Sequence, residues 1–219
     1  MLNRMAVPAL VLGLVMLVLA PFFIAAAPYE STMGLVQKIF YLHLPSWIAM
    51  FLAIFVCGIA SIRFLWTRRE SADHVALAAA ELALLFGAIG LMTGPMWARK
   101  AWGVWWEWDV RLTSALVLWM IFAAYGLLRR FGGPGSERLA AGVAIFGMAN
   151  VPFVYWSANL WRTMHPKTTV LPTLVPAMMG PMLWCVGAFL VLFIVLLAAR
   201  VRIAEQESLL DDVMRAREA

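Results

Sequence analysis

Six apolar runs fix what this chain can become. They cover residues 6–27, 46–66, 74–94, 113–130, 139–157 and 181–201, and a helix of roughly 20 apolar residues crosses the hydrocarbon core of a bilayer. No water is present there to satisfy backbone N–H and C=O groups, so each run must satisfy its own by coiling. The expected fold class is therefore all-α and polytopic: a six-transmembrane-helix bundle, residues 1–201, with long connections on one side. Composition supports this, because 13% of the residues are charged, against about 25% in soluble domains. The first run follows a single base and lacks a credible cleavage pattern, so it reads as a retained span. Pro152 predicts a kink at the end of the fifth. Residues 202–219 read as an amphipathic tail helix of mixed charge.

The net charge of +5 sits at the ends of the runs and reads as topology, not as nucleic-acid binding. One set of connections holds Arg4, then Arg63, Arg68 and Arg69, then Arg129, Arg130 and Arg138, then Arg200 and Arg202. The other holds Lys38, then Arg99, Lys100 and Arg111, then Arg162 and Lys167. The first set is richer and its loops are shorter, which places it in the cytoplasm with both termini. Outside then lie 28–45, the segment 97–113 and 158–180. Several chemistries are missing. Cys57 and Cys185 stand apart inside apolar runs, with no CxxC or CxxCH, so neither a thioredoxin-like centre nor covalent c-type haem attachment is written here. No phosphate loop is present either.

The outer segment WARKAWGVWWEWDVRLT carries five tryptophans, Trp97, Trp102, Trp105, Trp106 and Trp108, within twelve positions. Spanning a bilayer does not require such a segment. By the topology above, nine of the eleven tryptophans lie at or near the outer face. An interfacial aromatic belt would load both faces, so one-sided loading points to a site.

His43, in YLHLPSW, and His165, in WRTMHPK, share that face; His74 lies on the other. Each could simply top a helix and bond water or a carbonyl. Imidazole is also the usual axial ligand of haem iron, and two from different loops on one face would hold one iron from both sides. The tryptophans offer flat apolar surface for a flat macrocycle. Arg99, Lys100, Arg111 and Arg162 are candidate partners for its propionates, because guanidinium binds carboxylate bidentately. Asp109 is either a cap of the fourth span or part of the site, and Glu107 reads as a solvated acid. Glu81 stands alone inside the third span, where acids are rare, and is expected to pair within the bundle or with a partner helix.

The stretch WGVWWEWDVRLT, Trp102 to Thr113, resembles the WWD domain of the haem-handling proteins of cytochrome c maturation. Together with YLHLPSW, Thr93 to Ser114 and NVPFVYWSANLWRTMHP, it resembles the six-span haem exporter protein C branch of that family over nearly the whole chain. The resemblance implies a bacterial inner-membrane protein that holds non-covalent haem b at the periplasmic face. It implies presentation to a periplasmic haem chaperone, beside the ATP-binding and membrane subunits of an ABC transporter and a small single-span protein. ATP hydrolysis would belong to a partner, and this chain would not be an enzyme. His43 and His165 match the family's functional histidines. Trp102, Gly103, Trp105, Trp106, Trp108 and Asp109 match its WWD residues, with Trp97 beside them. The spacing of LPSW after His43 and the acid at Glu107 depart from the pattern. Two alternatives remain: a permease for haem or another small molecule, and a purely structural membrane subunit of a transporter.

Overall fold

A computed structural model describes residues 6–31, 33–166 and 171–218; Arg4 and Lys167, used above for topology, lie outside this set. The chain forms six helices: α1 (Ala6–Ala26), α2 (Phe40–Thr67), α3 (Glu70–Trp102), α4 (Val110–Phe131), α5 (Ser136–Leu160) and α6 (Pro176–Glu218). All six are long and apolar enough to cross a membrane, and no strand occurs among the described residues. The chain is a multi-pass helical membrane protein.

Every expected span lies inside one of these helices, apart from Ala27 just past the end of α1, and most helices overrun their spans. The apolar run marks only the part that sits in hydrocarbon; helical hydrogen bonding continues where side chains turn polar. Three overruns matter. A 3-10 turn, Leu35–Ile39, leads directly into α2, so His43 belongs to the start of that helix. α3 continues past Pro95 to Trp102, so Trp97, Arg99, Lys100 and Trp102 are helical. α5 continues past Pro152 to Leu160. Prolines are tolerated inside such helices because neighbouring groups take up the freed carbonyl. α6 runs unbroken for 43 residues through the tail, about 65 Å at 1.5 Å per residue.

α2 and α3 form the spine, joined at Arg68 and Arg69, and Arg68 takes the left-handed conformation that ends α2. Small residues are prominent in the core along both helices, Ala49, Ala53, Cys57 and Ala60 on α2 and Ala76, Ala79, Ala80 and Ala83 on α3, beside larger ones such as Met50 and Ile54. Lipid tails are as apolar as leucine, so small side chains that let backbones approach supply the packing. Leu118, Phe122 and Tyr125 of α4 join the same core, and Phe86 of α3 packs on Phe189 and Phe193 of α6. α1 packs on α6, where Trp184 Nε1 donates to the Met16 carbonyl at 2.9 Å and its ring stacks on Phe23.

Two acids of α3 are paired with arginines of neighbouring helices. Arg129 of α4 donates to both oxygens of Asp73 on α3, at 2.9 and 2.6 Å. Arg200 of α6 grips both carboxylate oxygens of Glu81 and also reaches Glu207 at 3.2 Å. Glu81 therefore pairs within the bundle. These pairs tie α3 to α4 and α6 at the end remote from His43 and leave the other end free for different chemistry.

Candidate functional site

His43 is held by two helices. Its ring Nδ1 lies 3.0 Å from Thr93 Oγ1 on α3. The single Thr93 hydroxyl proton is committed to helix carbonyls, Ile89 O at 2.8 Å and Gly90 O at 3.2 Å. Thr93 Oγ1 therefore accepts from Nδ1–H, and Nε2 carries the lone pair. Glycine makes this approach possible. A Cβ on Gly94 would lie 3.3 Å from His43 Cε1, and one on Gly90 would lie 2.7 Å from the Trp47 indole. Trp47, one turn after His43, sits edge-on to its ring at 6.2 Å.

His165 is held by a short non-helical stretch after α5. Its ring Nδ1 lies 2.8 Å from the Pro166 carbonyl, which can only accept, so the proton is on Nδ1 and Nε2 is again free. Its backbone N–H donates to Thr163 Oγ1 at 3.0 Å. The Thr163 hydroxyl donates to Asp109 Oδ2. Asp109 is the N-cap of α4, its Oδ1 accepting from the Leu112 N–H at 2.8 Å. Both readings of Asp109 thus meet in one carboxylate: one oxygen caps the helix and the other reaches the histidine loop. Burial lowers the His165 pKa to about 4, with the Arg111 cation adding to it. The imidazole is neutral at physiological pH, which is the form that binds a metal.

His43 and His165 line one narrow, partly open cavity of about 50 Å³, below the 300–1,000 Å³ typical of ligand pockets, so a ligand the size of haem would have to part its walls. Trp47, Trp97, Trp102 and Trp106 wall it, and Arg111 supplies the charge. Trp97 and Trp102 meet edge to face at 5.0 Å on the last turns of α3. Arg111 donates through Nη1 to the Val154 carbonyl and makes no ion pair among the described residues. The indole N–H groups of Trp97 and Trp106 are buried without a hydrogen-bond partner there. Two free imidazole nitrogens, flat apolar walls, an unpaired guanidinium and two orphaned donors suit a planar, metal-bearing ligand with carboxylate arms.

The remaining expected residues are placed elsewhere. Trp105 and Trp108 are 60% and 75% exposed and do not line the cavity. Trp108 instead borders a shallow groove between α4 and α5 with Asp109, Thr113 and Asn150. Gly103 ends α3 in the left-handed region, at φ 81°, and Arg99 donates to its carbonyl. Lys100 and Arg162 are exposed and do not line the cavity. Arg111 alone of the four candidate cations faces it. Sequence reasoning sets Trp47 beside His43, and their i to i+4 spacing on one helical face agrees; it missed Gly90, Thr93 and Thr163.

Such a bundle, with a two-histidine, tryptophan-walled cavity at one end, defines a polytopic helical membrane protein with a candidate site at that end. The profile of the Heme exporter protein C family matches residues 1–214, and the chain belongs to that family. It is 35% identical over 188 residues to Heme exporter protein C of Bradyrhizobium diazoefficiens, covering 81% of this chain and 70% of the relative. It is 34% identical over 182 residues to the Escherichia coli K12 protein of the same name, covering 80% and 73%. It is 31% identical over 145 residues to a cytochrome c biosynthesis ccmC-like mitochondrial protein of Marchantia polymorpha, covering 66% and 61%.

Proposed function

We propose that this protein holds haem in the cavity between His43 and His165 and presents it for cytochrome c maturation. The observation that carries the reading is that two histidines from different elements, each with its Nδ1 held by an oxygen, line one tryptophan-walled cavity. The relatives' names, Heme exporter protein C and cytochrome c biosynthesis protein, support it. The bound group supplies the iron and the propionates. The chain's residues do the rest: His43 and His165 ligate, Trp47, Trp97, Trp102 and Trp106 pack the ring and exclude water, and Arg111 meets a propionate. Trp105 and Trp108, being exposed, belong to the surface that an acceptor meets.

In this reading the histidine end faces the periplasm of a bacterial inner membrane and both termini face the cytoplasm. The arrangement of basic residues supports that orientation. The acceptor is a periplasmic haem chaperone, and ATP is used by an ABC transporter with which this chain and a small single-span protein assemble. Haem enters and leaves without chemical change, so the chain acts as a carrier and not as an enzyme. The test is absorbance. Protein purified from haem-replete cells shows a Soret band that collapses in the His43→Ala, His165→Ala double variant. A wild type without the band, or a double variant that keeps it unchanged, refutes the assignment.

A further inference from the structure

Among the described residues, the two histidines are anchored unequally. His43 is part of α2, its ring bonded to Thr93 of α3, edge-on to Trp47 and against the backbone at Gly94. Moving that ring means moving one packed helix against another. His165 lies outside any helix, and its ring bond is to the carbonyl of the next residue, Pro166, which travels with it. A side-chain bridge joins its loop to α4. Asp109 accepts from Thr163, and Thr163 accepts from the His165 backbone N–H. The bridge needs one group that both donates and accepts, and a hydroxyl does so.

We propose that Thr163 is the positioning residue for His165, and that His165 is the ligand that exchanges while His43 stays. This rests on the haem-holding reading above and adds the direction of transfer. His165 would give up the iron and a neutral nitrogen donor of the acceptor, such as a second imidazole, would take its place, with no electron moving, while His43 would keep its hold. Asp109 then serves neither as ligand nor as acceptor contact. It sets the distance between the tryptophan segment and the second histidine.

The test uses haem-loaded full-length protein in detergent, reduced and mixed with carbon monoxide, whose binding to six-coordinate iron waits for a histidine to leave. Thr163→Val removes the bridge. The expected acceleration is about tenfold, the worth of one charge-assisted hydrogen bond. Thr163→Ser keeps the hydroxyl and is expected within about twofold of wild type, a rescue that a merely structural role would not give. Asp109→Asn retains a good helix cap while weakening the acceptor, and is expected to accelerate binding even if Thr163→Val folds poorly. Thr93→Val, on the His43 side, is expected to accelerate binding less than Thr163→Val does, and the control Gly142→Ala, where a Cβ meets nothing within 4 Å, leaves the rate within about twofold. Equal rates in wild type, Thr163→Val and Asp109→Asn, or a larger acceleration from Thr93→Val, overturn this inference alone. Wild type that carries no haem overturns the underlying reading and this inference with it.

Discussion

Arg111 is the sharpest place to perturb the site, because its removal should act with opposite signs on stability and on binding. Its guanidinium stands at the cavity wall with a backbone carbonyl of α5 as partner and no ion pair among the described residues. A buried charge without a counter-charge is costly, so Arg111→Met should leave the empty protein at least as stable as wild type. The loaded protein loses a charge-assisted contact of about 1.5–3 kcal/mol, which is roughly a 10- to 150-fold weaker haem affinity. The assay pairs thermal unfolding of the haem-free variant with a haem titration followed at the Soret band. If Arg111→Met destabilises the empty protein and leaves the affinity intact, Arg111 is a strut to Val154 and the reasoning fails.

Two further outcomes follow from the geometry. For His165 the folded pKa, about 4, lies below the ordinary 6.5 of the unfolded chain, so between those values the unfolded state binds more protons. Its contribution to stability is complete above pH 6.5 and is lost as pH falls toward 4. His165→Gln should reduce that slope in denaturant unfolding between pH 7 and 4.5, and an unchanged slope would show that His165 is not buried neutral. Gly90→Ala places a Cβ 2.7 Å from the Trp47 indole and should lower haem occupancy, read as the ratio of Soret to protein absorbance. The control Gly142→Ala, where a Cβ meets nothing within 4 Å, should leave it unchanged.

The bundle was legible because lipid imposes a length and a hydrophobicity that can be counted along the chain. The site was legible in part. Two histidines on one face and a dense tryptophan segment are local patterns, and the cavity gathers both histidines with Trp97, Trp102 and Trp106. The segment's density could not tell Trp106 from its neighbour Trp105. The non-helical linker between α3 and α4 turns one toward the cavity and leaves the other 60% exposed. Thr93 and Thr163 carried no signal, because each matters through a partner on another element; the Thr163–Asp109 bond spans 54 positions. The cap at Asp109 could be read from its place before the fourth span, since capping is a contact within one turn.

The alanine-rich contact between α2 and α3 has a consequence for how the site can move. Alanine and glycine lose no rotamer freedom on burial, whereas long side chains lose up to about 2 kcal/mol each. The spine beneath the cavity is therefore assembled at little entropic cost and has few alternative packings to visit. With Gly90 against Trp47 and Gly94 against His43, the cavity wall built from α2 and α3 takes its shape from how closely two backbones approach. Adaptation to a ligand arriving or leaving is left to the rim, where Trp106 and His165 stand outside any helix.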